Sequence, residues 1–209
     1  MKKTIYSLLA CSLLLSSCVE TETAETSQES SSVQSTTAAN DPSSTEQNES
    51  PLPDGWEKTT NETITYLAIK DTVVGADWSN FSNDLGENYG KIVTYMTENN
   101  IEQGGMPLTQ WLTFEESGNS IYTAGIPVAP DTKPGPAMEI VTIPAGNAFK
   151  YIHKGAYDAT EAAHESINKY MYSTGNTPIG APWEIYVTDP GMEPDTSKWV
   201  TEIWYPIGE

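Results

Sequence analysis

The segment Trp183-Glu184-Ile185-Tyr186 sets a carboxylate and a phenol two residues apart, which in an extended chain puts both on one side. A carboxylate walled by aromatic faces suits a lipophilic cation. Charge pairing fixes the head of such a ligand, and each ring adds about 0.5–2 kcal/mol through cation–π contact. Partial loss of water also equips an acid for proton transfer. Thr188 continues the side that carries Glu184 and Tyr186, whereas Trp183, Ile185 and Val187 form the other. The second set is the apolar one, so it is expected to support helices and to leave Glu184 and Tyr186 facing a groove. Trp111, Tyr151, His153 and Trp204 are further candidates for the groove wall, with Trp204 sharing one side of its strand with Glu202. His164, next to Glu165 in a helical stretch, reads as an exposed surface histidine. Two histidines on different elements do not make a zinc site, because zinc prefers three or four convergent ligands. The sequence has no G-x-S-x-G, G-x-G-x-x-G or G-x-x-x-x-G-K-[ST] element, and neither a metal nor another cofactor is expected.

The elements that must position these residues follow from periodicity. Thr63 to Ile69 alternates and is rich in β-branched residues, which predicts a strand. Ser79 is expected to cap a helix with Phe81, Leu85, Tyr89, Ile92 and Met96 on one face, closed by Gly104-Gly105. Leu108 to Phe114 and Ser120 to Val128 read as a hairpin about the loop at 115–119. After a Pro/Gly-rich connector at 130–136 the order recurs. A strand covers Ala148 to His153, and Asp158 with Glu161 opens a helix that points Ala159, Ala163, Ile167 and Met171 inward. Gly175 is the expected stop, followed by strands at Trp183 to Thr188 and Val200 to Ile207. The halves also match residue by residue. A shift of 75 positions lays Ile92 on Ile167, Tyr95 on Tyr170, Met96 on Met171, Gly105 on Gly180, Pro107 on Pro182 and Thr113 on Thr188. It also lays Thr109 on Glu184 and Trp111 on Tyr186, so only one copy has the carboxylate. The prediction is an α+β fold: a duplicated β-α-β-β unit, antiparallel sheets with two helices, and a central groove on a pseudo-two-fold axis.

Twenty-nine acids against ten lysines, with no arginine, give a net charge of −19. Nucleic-acid binding needs clustered cations and guanidinium forks, so no nucleic-acid partner is expected. Lys2 and Lys3 precede an apolar run from Ile5 to Leu15, well below the ~20 residues of a membrane-spanning helix but suited to a signal peptide. The run ends in Leu15-Ser16-Ser17-Cys18, which resembles the lipobox of bacterial lipoproteins. The resemblance implies removal of residues 1–17 and acylation of Cys18. Acyl chains contribute ~0.8 kcal/mol per buried methylene, enough together to hold a chain on a membrane. The implied location is the bacterial cell envelope, the outer membrane before the inner. Residues 18–55 read as an acidic, Ser/Thr-rich tether with too little apolar surface to fold and a span of roughly 30–35 Å. Residues 56–209 are long enough for one domain.

This domain resembles the gyrase-inhibitor-like (GyrI-like) effector-binding domain, also the ligand-sensing part of AraC-type and MerR-type regulators. Three stretches carry the resemblance: Lys150-Tyr151-Ile152-His153-Lys154-Gly155-Ala156-Tyr157, Trp183-Glu184-Ile185-Tyr186 and Glu202-Ile203-Trp204-Tyr205-Pro206-Ile207. It implies a groove glutamate, here Glu184 with Tyr186 beside it, that contacts small hydrophobic, cationic ligands. Where such regulators carry a DNA-binding domain, this sequence is expected to carry its leader and tether. Some stand-alone members hydrolyse strained cyclopropane-containing electrophiles. The matching alternative makes Glu184 a general base, with Tyr186 or Tyr151 orienting the substrate. A third class is a lipoprotein that captures protein partners.

Overall fold

A computed structural model describes residues 50–208. The expected leader, Cys18 and most of the tether lie outside the described residues. The strands are β1 (Trp56–Asn61), β2 (Ile64–Val73), β3 (Leu108–Thr113), β4 (Ser120–Pro127), β5 (Glu139–Ile143), β6 (Gly146–Lys154), β7 (Trp183–Tyr186) and β8 (Val200–Ile207). The helices are α1 (Phe81–Glu98) and α2 (Glu161–Thr174). The strands form one antiparallel sheet in the order β1-β6-β8-β7-β3-β4-β2-β5. Each half of that order is one β-α-β-β unit with an added edge strand, and the halves meet where β7 pairs with β3. There Thr109 lies opposite Glu184, Leu108 opposite Ile185 and Gln110 opposite Trp183. A 75-residue shift exchanges the members of this register with one another, so the pseudo-two-fold axis passes through the Thr109–Glu184 pair.

The sheet curls into a half-barrel. β5 ends one edge of the order and β6 lies next to the other, yet only Pro144 and Ala145 join them. The turn before β2 is tied to that link: Asn61 Nδ2 donates to the Pro144 carbonyl at 2.8 Å, and the Ala145 amide donates to Thr63 Oγ1 at 3.3 Å. Tyr66, Ala68, Leu108, Ile143, Ala148, Trp183 and Trp204 fill the inside of the curl, with the two indoles stacked 5.8 Å apart. The helices cover the opposite side. α1 sets Ile92 and Met96 on Leu67 and Ile126, and α2 sets Ala163, Ile167 and Met171 on Phe149, Ile203 and Tyr205.

This arrangement reverses the expected sides of β7. Trp183 and Ile185 belong to the inside of the curl, and Glu184 and Tyr186 face the helix layer. Both sides of the central strands are buried, so hydrophobicity alone does not tell which one carries helices. The helix starts also differ in detail. Asp77, not Ser79, supplies the capping oxygen, accepting the Ser79 amide at 3.1 Å in a 3-10 turn before α1. Another 3-10 turn, Tyr157–Ala159, precedes α2, so Ala159 and Asp158 lie outside the helix. Gly175 ends α2 at φ +71°, a left-handed position that glycine reaches without a Cβ clash. Strands β1 and β5 add to the strands that periodicity predicts.

Candidate functional site

The site forms where one side chain from each helix comes down on the axis. Tyr89 from α1 donates its hydroxyl to the Leu108 carbonyl at 2.7 Å and lies 3.1 Å from Thr109 Oγ1. His164 from α2 places Nε2 2.8 Å from Glu184 Oε1. The 75-residue shift superposes Tyr89 on His164 just as it superposes Thr109 on Glu184. The site is thus one pair of contacts in two chemical versions, phenol to hydroxyl and imidazole to carboxylate. Tyr186 joins them, donating to Glu184 Oε2 at 3.0 Å with its oxygen 3.1 Å from Thr109 Oγ1.

Glu184 is 5% exposed. A carboxylate so removed from water needs charged or hydrogen-bonding partners. An ionised carboxylate is acceptor-only, and in that state its bond at Oε1 takes its proton from His164 Nε2. The other ring nitrogen, Nδ1, lies 2.8 Å from the Tyr205 hydroxyl. Burial, and after it the charge of Glu184, pushes the Tyr186 phenol well above its ordinary range. Burial likewise raises Tyr89 and Tyr205. These hydroxyls therefore stay protonated and act as donors around the acid. Tyr157, in the turn before α2, covers the outer end: its ring lies 4.8 Å from that of Tyr186 and 4.6 Å from that of Trp199, and its hydroxyl donates to the Thr188 carbonyl. Beside Tyr186 across the β7–β8 pair, Thr201 Oγ1 is buried without a hydrogen-bond partner among the described residues.

Of the residues expected at the groove, the structure brings Tyr186 to Glu184 and leaves four elsewhere. Trp111 shares their side of the sheet but packs at the start of α1, 5.3 Å from Phe81 and 5.9 Å from Trp78 between ring centres. Tyr151 is two strands from Glu184 and lies against Trp56 at 5.3 Å. His153 is turned to the loop before α2, with Nε2 3.2 Å from the Ala156 carbonyl. Trp204 is on the opposite side, because the register sets it against Trp183 and not Glu184. There it carries Lys150 Nζ 4.7 Å above its ring. His164 is corrected in the other sense, from surface residue to direct partner of Glu184. Its signal was in the sequence: the shift that matched Thr109 to Glu184 also matches Tyr89 to His164. A hollow of about 260 Å³ among Leu52, Lys58, Phe149 and Tyr170 lies on the far flank of α2, away from the carboxylate.

Residues 80–207 match the family of GyrI-like small molecule binding domains, and the chain belongs to that family. Among solved structures it is similar to the C-terminal domain of EcmrR, with a TM-score of 0.61 and 18% identity, covering 74% of this chain and 97% of that one. The EcmrR chain solved in a DNA complex gives the same score, and this chain spans 57% of its length. SAV2435 bound to tetraphenylphosphonium is similar at a TM-score of 0.54 and 15% identity, over 73% of this chain and 93% of that one. At such identities the likeness is one of fold. No curated protein matches the sequence.

Proposed function

We propose that this chain is a lipid-anchored small-molecule receptor of the bacterial cell envelope, outer membrane before inner, whose domain takes hydrophobic cations at Glu184. In this reading Cys18 carries the acyl chains and residues 18–55 hold the domain off the membrane. The observation that carries the ligand class is a carboxylate 5% exposed on the pseudo-two-fold axis, among the rings of Tyr89, Tyr186 and His164 with Tyr157 over its outer end. Among the described residues no lysine pairs with it. Cation–π contact with the surrounding rings would add to charge pairing once a lipophilic cation displaces the covering side chains. The unpartnered Thr201 hydroxyl offers a hydrogen bond to a polar group on the ligand. A fold neighbour binds tetraphenylphosphonium, which makes that cation the natural first probe. Titrating the full-length chain with it should quench tyrosine and tryptophan emission saturably, and Glu184→Gln should remove the response. Equal binding by Glu184→Gln would defeat the reading.

The 3.0 Å contact between Tyr186 and Glu184 also supplies the phenol–carboxylate pair that the hydrolytic alternative requires. Consumption of a strained electrophile, lost in Glu184→Gln, would move the assignment from receptor to enzyme.

A further inference from the structure

Among the described residues, the group able to carry positive charge that touches Glu184 is part of the chain itself. His164 Nε2 is 2.8 Å from the carboxylate, and the ring is held from behind by Tyr205 at 2.8 Å. The imidazole side chain is 21% exposed and the carboxylate side chain 6%, so the histidine is the member of the pair that reaches solvent. We infer that His164 is the specificity-determining residue of the site: it is an internal occupant of the Glu184 carboxylate that every ligand must displace, and a rival cation when protonated. The inference rests on the proposal that Glu184 receives lipophilic cations.

The two protonation states of His164 differ in what they leave for a ligand. Neutral imidazole gives Glu184 one hydrogen bond and no charge, so the full negative charge remains to attract a cation. Imidazolium neutralises that charge, and an entering cation must then displace a salt bridge and face a like charge. The ionisable groups at the His164–Glu184 pair are Tyr186, beside Glu184 on β7, Tyr205 on β8 and Tyr89 on α1 across the axis, with Tyr157 just before α2 over Tyr186 and the exposed Glu161 and Glu165 on the helix of His164; β3 contributes the uncharged Thr109. Linkage between proton and ligand is reciprocal, so removing the proton must strengthen cation binding. An uncharged phenyl-bearing ligand gains nothing from the charge of the carboxylate and should not follow this trend.

The test uses the full-length chain with tetraphenylphosphonium and its uncharged analogue triphenylphosphine oxide, at about pH 5.5 and about pH 8, the interval over which histidine changes charge. In the wild type the cation should bind about tenfold more tightly at the higher pH, the effect of an opposite charge a few ångströms from a carboxylate, while the neutral probe changes little. His164→Gln keeps a donor for Glu184 but cannot be charged; it should bind the cation with the same affinity at both pH values. His164→Lys should weaken the cation at both. A wild type whose Glu184-dependent cation affinity does not vary with pH, or a His164→Gln that keeps the full pH dependence, overturns the inference and leaves the receptor proposal standing. Absence of any Glu184-dependent cation binding in all variants overturns both.

Discussion

Thr109 and Glu184 stand in equivalent places, and the residues above them differ to match: Tyr89 suits a hydroxyl, His164 a carboxylate. Tyr186 bridges the two versions, so the acid is held from both of its oxygens. On the inside of the curl the same close fit is apolar. Tyr66 lies flat over Gly125, with its hydroxyl 2.8 Å from Gln110 Oε1 and 2.9 Å from Thr123 Oγ1, and burial pushes its phenol up to about 12. A methyl group at Gly125 would run into the Tyr66 ring, which is fully buried and cannot swing aside. Gly125→Ala should therefore cost about 1–3 kcal/mol, the usual range for overpacking a filled core, read as a shift of the urea unfolding midpoint. An unshifted midpoint would mean that the ring repacks without strain.

Helix α1 is fastened to the sheet by a polar pin as well as by its apolar face. Asn88 Nδ2 donates to Asp71 Oδ2 on β2 at 2.7 Å, and the Tyr122 hydroxyl of β4 donates to the same oxygen at 3.3 Å. Burial alone would raise the Asp71 carboxyl, but bonds from Asn88, the Thr72 amide and Tyr122 outweigh it and hold the group below its ordinary value. A carboxyl depressed in the folded state stabilises above its unfolded pKa of ~3.9, and that contribution is lost as pH falls through the folded value. Unfolding midpoints measured from about pH 6 down to about pH 2 should fall less steeply in Asp71→Asn than in the wild type. Parallel slopes would remove Asp71 from the acid response.

The helices and the strands beneath them are legible in the sequence to different degrees. Inner-face residues at spacings of three and four gave both helices, and the 75-residue shift gave the duplication and thereby the axis. β1 and β5 escaped because edge strands pair on one side only; Glu57 and Lys58 of β1 and Glu139 of β5 are exposed and break the apolar alternation. The sides of β7 were misread because alternation separates two sides without naming their neighbours. Trp204 was lost with them, since a one-residue change of register moves a side chain across the sheet. His164 was missed because a single histidine next to a glutamate looks solvated until its equivalent in the other unit is considered.

For the whole molecule, the proposed anchor is tested apart from the ligand. Cys18→Ala should abolish both palmitate labelling and the removal of residues 1–17, with tetraphenylphosphonium binding unchanged. Palmitate labelling that persists without the cysteine would refute Cys18 as the site of lipidation. The strand order has a different consequence, for the sequence in which the chain can fold. Threaded N-terminus first, β1 emerges ahead of the other described strands, yet its pairing partner is β6, with Trp56 opposite Tyr151. Strands β2 to β5 can meanwhile complete their own ladder, β3-β4-β2-β5. The earliest strand to emerge must therefore wait, unpaired, until the later unit has emerged and closes over it.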